Sequence, residues 1–282
     1  MATFGLVVHP GKGIELGRSV IDWLRKRDHE IHLGSQEAAL LGYPDLAVDD
    51  DKVTAGLDLL LSLGGDGTML RSVELAARDD VPVMGVNLGQ LGYLTQVEPS
   101  GVTVALKRFL AGSYTIEDRH RVRAVVKRAG KRSKTYDALN EVVIEKSMVG
   151  RTVRLDIELD GRPFTSYVCD GLILATATGS TAYAFSVRGP IIDPRHRAIL
   201  MTPVAAHMLF DRSIVLQPDC EVTVTVASDR DAAVLVDGQQ GETLVPGDRV
   251  VCTMSPQPAR LVTLGGSDFH SVLRSKFGLS TR

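Results

Sequence analysis

The sequence predicts an α/β domain with a parallel sheet over residues 1–115 and an all-β domain over residues 116–266. In the first part, apolar runs of strand length alternate with segments whose apolar residues recur at helical spacing. In the second part, short β-branched stretches are separated by turn dipeptides such as Asp160-Gly161 and Asp237-Gly238. The amphipathic segment 267–282 is predicted to form a helix that packs back on the first domain.

These patterns predict the individual elements of both domains. In the first domain we predict strands at Phe4–Val8, Ile31–Leu33, Leu59–Leu63 and Val81–Asn87, helices at Ile14–Arg27 and Met69–Arg78, and a loop with a short helix at Asp45–Asp58. In the second domain we predict strands at Val122–Arg128, Thr135–Ile144, Arg154–Leu159, Tyr167–Thr176, Arg212–Leu216, Glu221–Val226, Ala232–Val236 and Arg249–Met254. The alternation in the first domain is typical of a Rossmann-like sheet, whose ligands bind at the carboxyl ends of the strands.

Composition and charge argue against several classes of protein. The net charge is −2, which gives no indication of a nucleic-acid or membrane partner. No apolar run approaches the roughly 20 residues of a membrane-spanning helix, and residues 1–10 lack the basic start of a signal peptide. The three cysteines have no metal-binding spacing and are expected to be reduced. We therefore expect a cytoplasmic protein with no membrane or nucleic-acid partner.

A run of positive charge lies between Arg119 and Lys134, where no acidic residue interrupts the Lys and Arg residues. Proteins that bind single-stranded nucleic acid usually place aromatic residues among such cations, and none occurs here. A solvated hairpin is the favoured interpretation, and a contact with a polyanion is the alternative.

The most informative stretch of the first domain is Gly64-Gly65-Asp66-Gly67-Thr68, which separates the apolar run Leu59–Leu63 from a helical pattern. A strand, a glycine turn and a helix N-terminus in this order present backbone N–H groups and the positive end of the helix dipole to an anion. Thr68 is placed to cap the helix. A carboxylate at Asp66 in such a turn points to a task in metal or hydroxyl binding. The alternative is a tight turn in which Asp66 is an Asx-turn residue.

The second domain contains a segment rich in hydroxyl groups, Thr178-Gly179-Ser180-Thr181-Ala182-Tyr183, directly after an apolar strand. Hydroxyl groups, backbone amides and one aromatic ring can bind an adenosine moiety by hydrogen bonds and stacking. Helix capping is the alternative, because Ser and Thr are common at N-caps. The dipeptide Asn140-Glu141 offers an amide and a carboxylate that suit two adjacent sugar hydroxyls.

Several motifs occur here in the order in which they occur in NAD kinases, and the chain resembles that family from about residue 4 to residue 278. The motifs are Gly64-Gly65-Asp66-Gly67-Thr68, Asn87-Leu88-Gly89-Gln90-Leu91-Gly92-Tyr93-Leu94, Asn140-Glu141, Asp170-Gly171 with Thr178–Tyr183, and Asp237-Gly238-Gln239. The first motif is shared with diacylglycerol-kinase-like and phosphofructokinase-like proteins, whereas Thr178–Tyr183 is much more specific. The resemblance implies the NAD kinase/diacylglycerol kinase-like fold.

The resemblance also implies roles for individual residues. Asp66 would be the catalytic carboxylate, Asn140 and Glu141 would hold ribose hydroxyls, and Arg151 would lie near the pyrophosphate. Asp170 and residues 181–186 would line the adenosine pocket. The complete set of expected binding residues is Gly64, Gly65, Gly67, Thr68, Arg71, Asn87, Asn140, Glu141, Arg151, Asp170, Thr178, Ser180, Thr181, Ala182, Tyr183, Ala184, Phe185, Ser186 and Gln239.

The activity implied by the resemblance is phosphorylation of the 2′-hydroxyl of the NAD adenosine ribose, which yields NADP. ATP with Mg²⁺ is the expected phosphoryl donor, inorganic polyphosphate is a second donor, and a homodimer or homotetramer is expected. The chain departs from the family at Ala177, at Arg188-Gly189-Pro190 and at Asp211-Arg212-Ser213. A lipid kinase of the diacylglycerol type and a non-catalytic regulator that binds a dinucleotide are the alternatives.

Overall fold

The computed structural model describes residues 1–89, 92–265 and 268–279. The chain forms two compact units, one made of Met1–Asp118 with Ala259–Arg282 and the other of Arg119–Pro258. The predicted fold class is confirmed, because the first unit carries a mostly parallel sheet with helices and the second is rich in β-strands. Gln90 and Leu91 of the second motif, and parts of the predicted C-terminal helix, lie outside the described residues.

The described residues include eighteen strands and six α-helices. The strands are β1 (Thr3–Val8), β2 (Glu30–His32), β3 (Leu59–Gly64), β4 (Val83–Asn87), β5 (Thr115–Arg119), β6 (Val122–Lys127), β7 (Lys134–Ala138), β8 (Glu141–Lys146), β9 (Val153–Leu159), β10 (Arg162–Cys169), β11 (Gly171–Ala175), β12 (Ile199–Val204), β13 (Ile214–Leu216), β14 (Val222–Val226), β15 (Ala232–Val236), β16 (Gln239–Leu244), β17 (Arg249–Met254) and β18 (Ala259–Thr263). The helices are α1 (Ile14–Arg25), α2 (Ser35–Leu41), α3 (Asp66–Ala76), α4 (Val102–Leu110), α5 (Tyr183–Ser186) and α6 (Phe269–Phe277).

The sheet of the first unit has the strand order β2-β1-β3-β4-β18-β5. β1, β3 and β4 pair in parallel in the centre of this sheet, and every residue of β3 is buried. Such continuous burial is typical of the central strand of a parallel sheet. The parallel register pairs Gly64 at the end of β3 with Asn87 at the end of β4. The carboxyl ends of these two strands are therefore neighbours.

Two helices and two strands in the sheet of the first unit differ from the sequence-based expectations, and one of these strands is β5, which has no counterpart in the prediction. Helices α2 and α4 were not predicted; α2 has only seven residues, and the burial of Glu37 within it weakens its apolar pattern. Strand β18 lies in the first sheet, where Leu261 pairs with Val83, although the expected boundary at residue 266 assigned it to the second domain. The chain thus returns to the first sheet eight residues earlier than expected, at Ala259 rather than at residue 267.

The second unit is built from two antiparallel sheets, with strand orders β10-β9-β14-β17-β6-β7 and β13-β12-β11-β8-β15-β16. Alternate residues of strands from both sheets form one apolar core. Two hairpins of this unit turn at Asp160-Gly161 and Asp237-Gly238, and all four residues have positive φ. This backbone geometry is the one that favours Asp-Gly in two-residue hairpins, as the sequence predicted.

Two predicted strands of the second unit are each broken in the structure. The stretch 135–144 divides at Leu139-Asn140 into β7 and β8, and the stretch 167–176 divides at Asp170 into β10 and β11. Apolar residues lie on both sides of each break, so the prediction joins each stretch into one strand despite the polar Asn140 and Asp170. Both breaks coincide with residues that the resemblance assigns to substrate binding.

The run of positive charge at 119–134 forms the β6–β7 hairpin and its flanks, but it is not simply solvated as expected. Arg121 and Arg123 both pair with Asp137, at 3.1 and 2.7 Å. Arg128 and Lys134 both pair with Glu242 of β16. The acidic partners come from other strands, which is why the local sequence lacks them.

None of the described helices combines the length and the apolar character that a membrane span requires.

Tyr167 yields a prediction for the core of the second unit. Its side chain is fully buried, and none of the described residues offers its hydroxyl group a hydrogen-bond partner. An unpaired buried hydroxyl is destabilising, so Tyr167→Phe should raise the free energy of unfolding by about 1 kcal/mol in chemical denaturation. The matched control is Tyr136→Phe, which should lower it by about 1 kcal/mol because the Tyr136 hydroxyl donates to Glu242 at 3.0 Å. A loss of stability in Tyr167→Phe would contradict the prediction.

Candidate active site

Asp66 lies at the start of α3, directly after the buried strand β3. Gly65 is the N-cap and Asp66 is the first helical residue. Its carboxylate accepts hydrogen bonds from the backbone N–H groups of Tyr93 at 3.1 Å and Leu94 at 3.2 Å, in the segment that follows β4. The Leu88 N–H donates to the Gly64 carbonyl at 2.9 Å and ties the two strand ends together. The carboxylate is therefore held in a fixed position, and it does not form the Asx turn that was the alternative.

Two different structural reasons explain why glycine occupies the positions around Asp66. None of the three in the turn has a positive φ, so conformational freedom does not explain them. A methyl group on Gly64 would overlap the Thr68 side chain, whereas one on Gly65 or Gly67 would meet no atom within 4 Å. Gly65 and Gly67 thus leave open space at a helix N-terminus, where the first N–H groups lack intrahelical partners. This arrangement suits an anion such as a phosphate.

Thr68 does not cap α3, so that prediction was wrong. The helix begins three residues earlier than the expected cap requires, and the glycine at its N-cap has no side chain to accept a hydrogen bond. The Thr68 side chain packs beneath Gly64 instead. Its hydroxyl-bearing side chain therefore fixes the shape of the turn.

Asn87 and Arg71 occupy different surroundings. Asn87 ends β4, is buried, and accepts the Gly89 N–H through its side-chain oxygen at 3.1 Å. Arg71 lies one turn into α3, donates to the Val8 carbonyl at 3.2 Å and forms an ion pair with Glu37 of α2. Burial raises the pKa of the Glu37 carboxyl, and the Arg71 charge opposes that rise. Arg71 is thus partnered within the first unit, beside a cavity of about 490 Å³ that both residues line.

In the second unit, Asn140 and Glu141 lie at the break between β7 and β8. Glu141 is only 6% exposed, and its Oε2 atom has no hydrogen-bond partner among the described residues. Burial, reinforced by the nearby Asp237 carboxylate and opposed by the Tyr183 N–H, raises the pKa of Glu141 to about 8. A ligand hydroxyl would satisfy this buried, unpartnered carboxyl oxygen by a hydrogen bond.

The hydroxyl-rich segment lies against the same break. The Asn140 carbonyl accepts the Thr176 N–H at 2.8 Å, and a methyl group on Gly179 would overlap the Asn140 carbonyl. Ser180 donates to the Ala177 carbonyl at 2.6 Å and accepts the Ile192 N–H at 2.9 Å, so its hydroxyl is used within the fold.

The other hydroxyls of this segment differ from one another. Thr181 donates to the Thr178 carbonyl at 3.2 Å, whereas Thr178 Oγ1 is buried without a partner in the described structure. The residues at the N-cap positions of the 3₁₀ helix 178–181 and of α5, Ala177 and Ala182, make no side-chain capping bond. The Thr176 hydroxyl, one residue before Ala177, accepts the Gly179 N–H at 3.0 Å instead, so the capping alternative holds for Thr176 and for neither N-cap residue.

The side chains of helix α5 differ in their exposure to solvent. Tyr183 and Phe185 are more than a third exposed, and Ser186 is exposed. Ala184 is fully buried against the sheet, so its side chain holds the helix in place. Ala182 joins the 3₁₀ helix to α5.

Tyr183 lines a cavity of about 370 Å³ together with Asp170, which forms an ion pair with Lys146 at 2.6 Å. Burial, with added repulsion from Glu145, Asp170 and Glu141, raises the pKa of the Tyr183 hydroxyl. The expected binding residues of the second unit thus gather around Asn140, Glu141 and Tyr183. Arg151 and Gln239 are exposed, in the loop before β9 and at the start of β16, and within the described residues no hydrogen bond or ion pair joins their side chains to this group.

The sequence analysis named two groups at these sites only as parts of motifs and assigned them no role. The backbone amides of Tyr93 and Leu94 hold the Asp66 carboxylate, and Asp237 accepts backbone N–H groups from residues 139–141. The place of Asp237 in an Asp-Gly turn explains that dipeptide without any further role.

A fixed carboxylate beside an open helix N-terminus defines a protein that binds phosphate groups, with a β-rich unit that carries buried, unpartnered polar atoms. Family models described as the ATP-NAD kinase N-terminal and C-terminal domains match residues 4–114 and 139–264. The NAD kinase of Moorella thermoacetica is 38% identical, covering 93% of this chain and 84% of its own length. The NAD kinase of Heliobacterium modesticaldum is 39% identical over 98% of each chain. The chain belongs to the NAD kinase family.

Solved structures share the fold. Yeast NADH kinase complexed with NADH has a TM-score of 0.92 at 24% identity, covering 100% of this chain and 89% of that chain. An NAD kinase from Archaeoglobus fulgidus in complex with ATP has a TM-score of 0.76 at 24% identity, covering 98% of this chain and 97% of that one. At this identity the likeness establishes the fold alone.

Gly92 provides a prediction for the Asp66 site. A methyl group on Gly92 would overlap the Asp66 carboxylate and come within 2.8 Å of Thr95 Oγ1. Gly92→Ala should therefore lower the free energy of unfolding by about 1–3 kcal/mol in chemical denaturation. Gly89→Ala is the matched control, because a methyl group there meets no atom within 4 Å and should change stability by less than about 0.5 kcal/mol. Equal effects of the two substitutions would contradict the close contact.

Glu141 gives a pH-dependence prediction. Its pKa is raised to about 8 in the folded state, whereas the unfolded chain has an ordinary glutamate value near 4.3. The folded state therefore binds more protons between these values, and the associated stability is lost as the pH rises through this window. From pH 6 to pH 8, the wild type should lose about 2 kcal/mol more unfolding free energy than Glu141→Gln, which cannot ionise. Parallel pH dependences in urea denaturation would contradict the raised pKa.

Proposed function

We propose that this chain transfers the terminal phosphoryl group of ATP to the 2′-hydroxyl of the NAD adenosine ribose, which yields NADP and ADP. The observation that carries the proposal is the Asp66 carboxylate, fixed by two backbone N–H groups at a helix N-terminus beside glycines that leave open space. Phosphoryl transfer depends mainly on positioning and on neutralisation of oxygen charge. A fixed carboxylate and an anion-binding turn supply both.

Each residue group has a separate task in this reaction. The turn Gly64–Thr68 binds donor phosphates through its backbone N–H groups, and Asp66 orients the acceptor hydroxyl and takes up its proton. The hydroxyl oxygen forms the new bond to the terminal phosphorus, and the bond to the bridging oxygen breaks, so that ADP leaves with that electron pair. Asn140 and Glu141 hold ribose hydroxyls, and Tyr183 and Asp170 form part of the adenosine pocket.

The remaining expected binding residues also have roles in this proposal. Arg71 is proposed to act near the phosphates from α3, Arg151 near the pyrophosphate and Gln239 at the edge of the second-unit site. Asn87 shapes the loop after β4 through its bond to Gly89. Inorganic polyphosphate is retained as a second donor, because a turn that binds phosphate through backbone groups does not require the adenosine of ATP.

A divalent cation fits this site as a companion of the donor. Among the described residues, no group of three or more His, Cys, Asp or Glu side chains is gathered to hold a metal. Mg²⁺ is typically held by one or two carboxylates together with substrate phosphates, and Asp66 is the carboxylate available in the turn. Mg²⁺ would supply charge neutralisation on the transferring phosphate.

Cellular location and assembly complete the proposal. The three cysteines are free and buried, which is typical of a reducing compartment, and we place the enzyme in the cytoplasm. The resemblance to NAD kinases supports a homodimer or homotetramer.

The proposed role of Asp66 is tested with Asp66→Asn, which keeps the shape of the side chain and removes its charge. With ATP, Mg²⁺ and NAD, its kcat for NADP formation should fall by about 10²–10⁴-fold, while the dissociation constant for NAD changes by less than threefold. The matched control is Glu74→Gln, an exposed acid on the same helix, which should leave kcat unchanged.

One outcome would contradict the proposed role of Asp66, and two would contradict the proposed function. Undiminished NADP formation by Asp66→Asn would exclude a catalytic role for Asp66. A wild-type protein that binds NAD and forms no NADP would be the non-catalytic regulator. A protein that does neither but phosphorylates diacylglycerol would be the lipid kinase.

A further inference from the structure

The Asp237 carboxylate holds the backbone at the break between β7 and β8. Its Oδ2 accepts the Leu139 N–H at 2.8 Å, and its Oδ1 accepts the N–H groups of Asn140 at 2.8 Å and Glu141 at 3.1 Å. In return, the Asp237 N–H donates to the Glu141 carbonyl at 3.0 Å. Three consecutive amides thus donate to one side chain and not to a neighbouring strand.

The position of Asp237 explains how it can reach these amides. It is the first residue of the hairpin turn between β15 and β16, with φ = 48°, and Gly238 follows with φ = 77°. β15 pairs with β8, and Val236 lies opposite Val142. The turn therefore extends one step beyond the ladder and meets the segment where β8 begins.

The charges around Asp237 favour its role as an acceptor. Both of its carboxylate oxygens accept N–H donors, which is the behaviour of the ionised form. Burial raises the pKa of Asp237, whereas the three amides and the Arg121 charge act against that rise. Glu141 is the neighbouring acid, and it faces Asp237 from β8 and the Tyr183 N–H from α5. Two neighbouring carboxyl groups in different environments tend to divide into one that is ionised and one that keeps its proton.

We propose that Asp237 is a positioning residue for NAD binding, which fixes Asn140 and Glu141 through their backbone and leaves the Glu141 side chain free for the ligand. The assignment of Asn140 and Glu141 to the sugar rests on the proposed function, whereas the role of Asp237 in fixing their backbone does not. Small displacements of groups that orient a substrate have large effects on binding and rate, so such support is expected to be measurable. Glu141 in its protonated form can donate a hydrogen bond to a sugar hydroxyl.

Asp237→Asn is the informative variant, because Asn tolerates positive φ and preserves the turn. A carboxamide has one acceptor oxygen in place of two, so at least one of the three amides loses its partner. We expect the KM for NAD to rise at least tenfold, which corresponds to about 1.4 kcal/mol, while the KM for ATP changes less than twofold. Loss of the Asp237 charge should also move the pH at which NAD binding weakens to a lower value, because the pKa of Glu141 falls.

The chain offers a matched control in Asp160→Asn. Asp160 occupies the same position of the other Asp-Gly hairpin in this unit, with φ = 50°, and accepts one amide, that of Glu221 at 2.9 Å. This variant should lose similar stability and leave the KM for NAD and its pH profile unchanged. If both variants change the KM for NAD equally, Asp237 is only a turn residue and the proposal is overturned.

A measurement on the wild-type protein tests the proposal without a variant and without activity. The amides of Leu139 and Asn140 lie outside any strand, yet their bonds to Asp237 should protect them from hydrogen exchange at least 100-fold relative to the unfolded chain. Exchange at unfolded-chain rates would overturn the proposal even if NADP forms. If these amides are protected and no NADP forms, the proposed function fails while the backbone role of Asp237 stands.

Discussion

Both candidate sites depend on carboxylates that accept hydrogen bonds from backbone amides. These amides lie where strands end and, among the described residues, have no partner in a strand ladder. Asp66 accepts two amides from the segment after β4, and Asp237 accepts three amides at the start of β8. A buried amide without a partner is costly, so the chain at each strand end is tied to the position of one acidic side chain. The same bonds satisfy the backbone and orient the groups proposed to bind substrate.

The two carboxylates differ in what remains for a ligand. Asp66 stands at a helix N-terminus beside glycines that leave open space, so its surroundings favour phosphate groups. Asp237 is occupied by its three amides, and the group left for a ligand is the neighbouring Glu141, whose Oε2 lacks a partner in the described part of the chain. Thr178 Oγ1 is a second buried atom of this kind in the same unit. Such atoms are satisfied by a polar ligand or by an ordered water.

Sequence patterns predicted the parts of the fold that local rules control. The strand, glycine turn and helix around Asp66 and the two Asp-Gly hairpins followed from short-range preferences that the structure confirms. Thr68 was misassigned because the N-cap of the helix is Gly65, three residues before the expected cap, and sequence rules for element boundaries do not resolve such a difference. Helix α2 was missed because it is short and buries the charged Glu37, whose partner Arg71 is 34 residues away.

The parts of the site that sequence patterns did not reveal depend on long-range contacts. The breaks at Asn140 and Asp170 separate apolar segments that the sequence pattern joins into single strands, and Asp237 lies 97 residues beyond Asn140. The most direct test of the account is hydrogen exchange of the backbone amides of Tyr93, Leu94, Leu139, Asn140 and Glu141 in the wild type, in Asp66→Asn and in Asp237→Asn. We predict that Asp66→Asn loses protection at the first two amides alone, and that Asp237→Asn loses protection at the last three alone. Protection that stays unchanged in both variants would contradict the claim that one carboxylate holds each group.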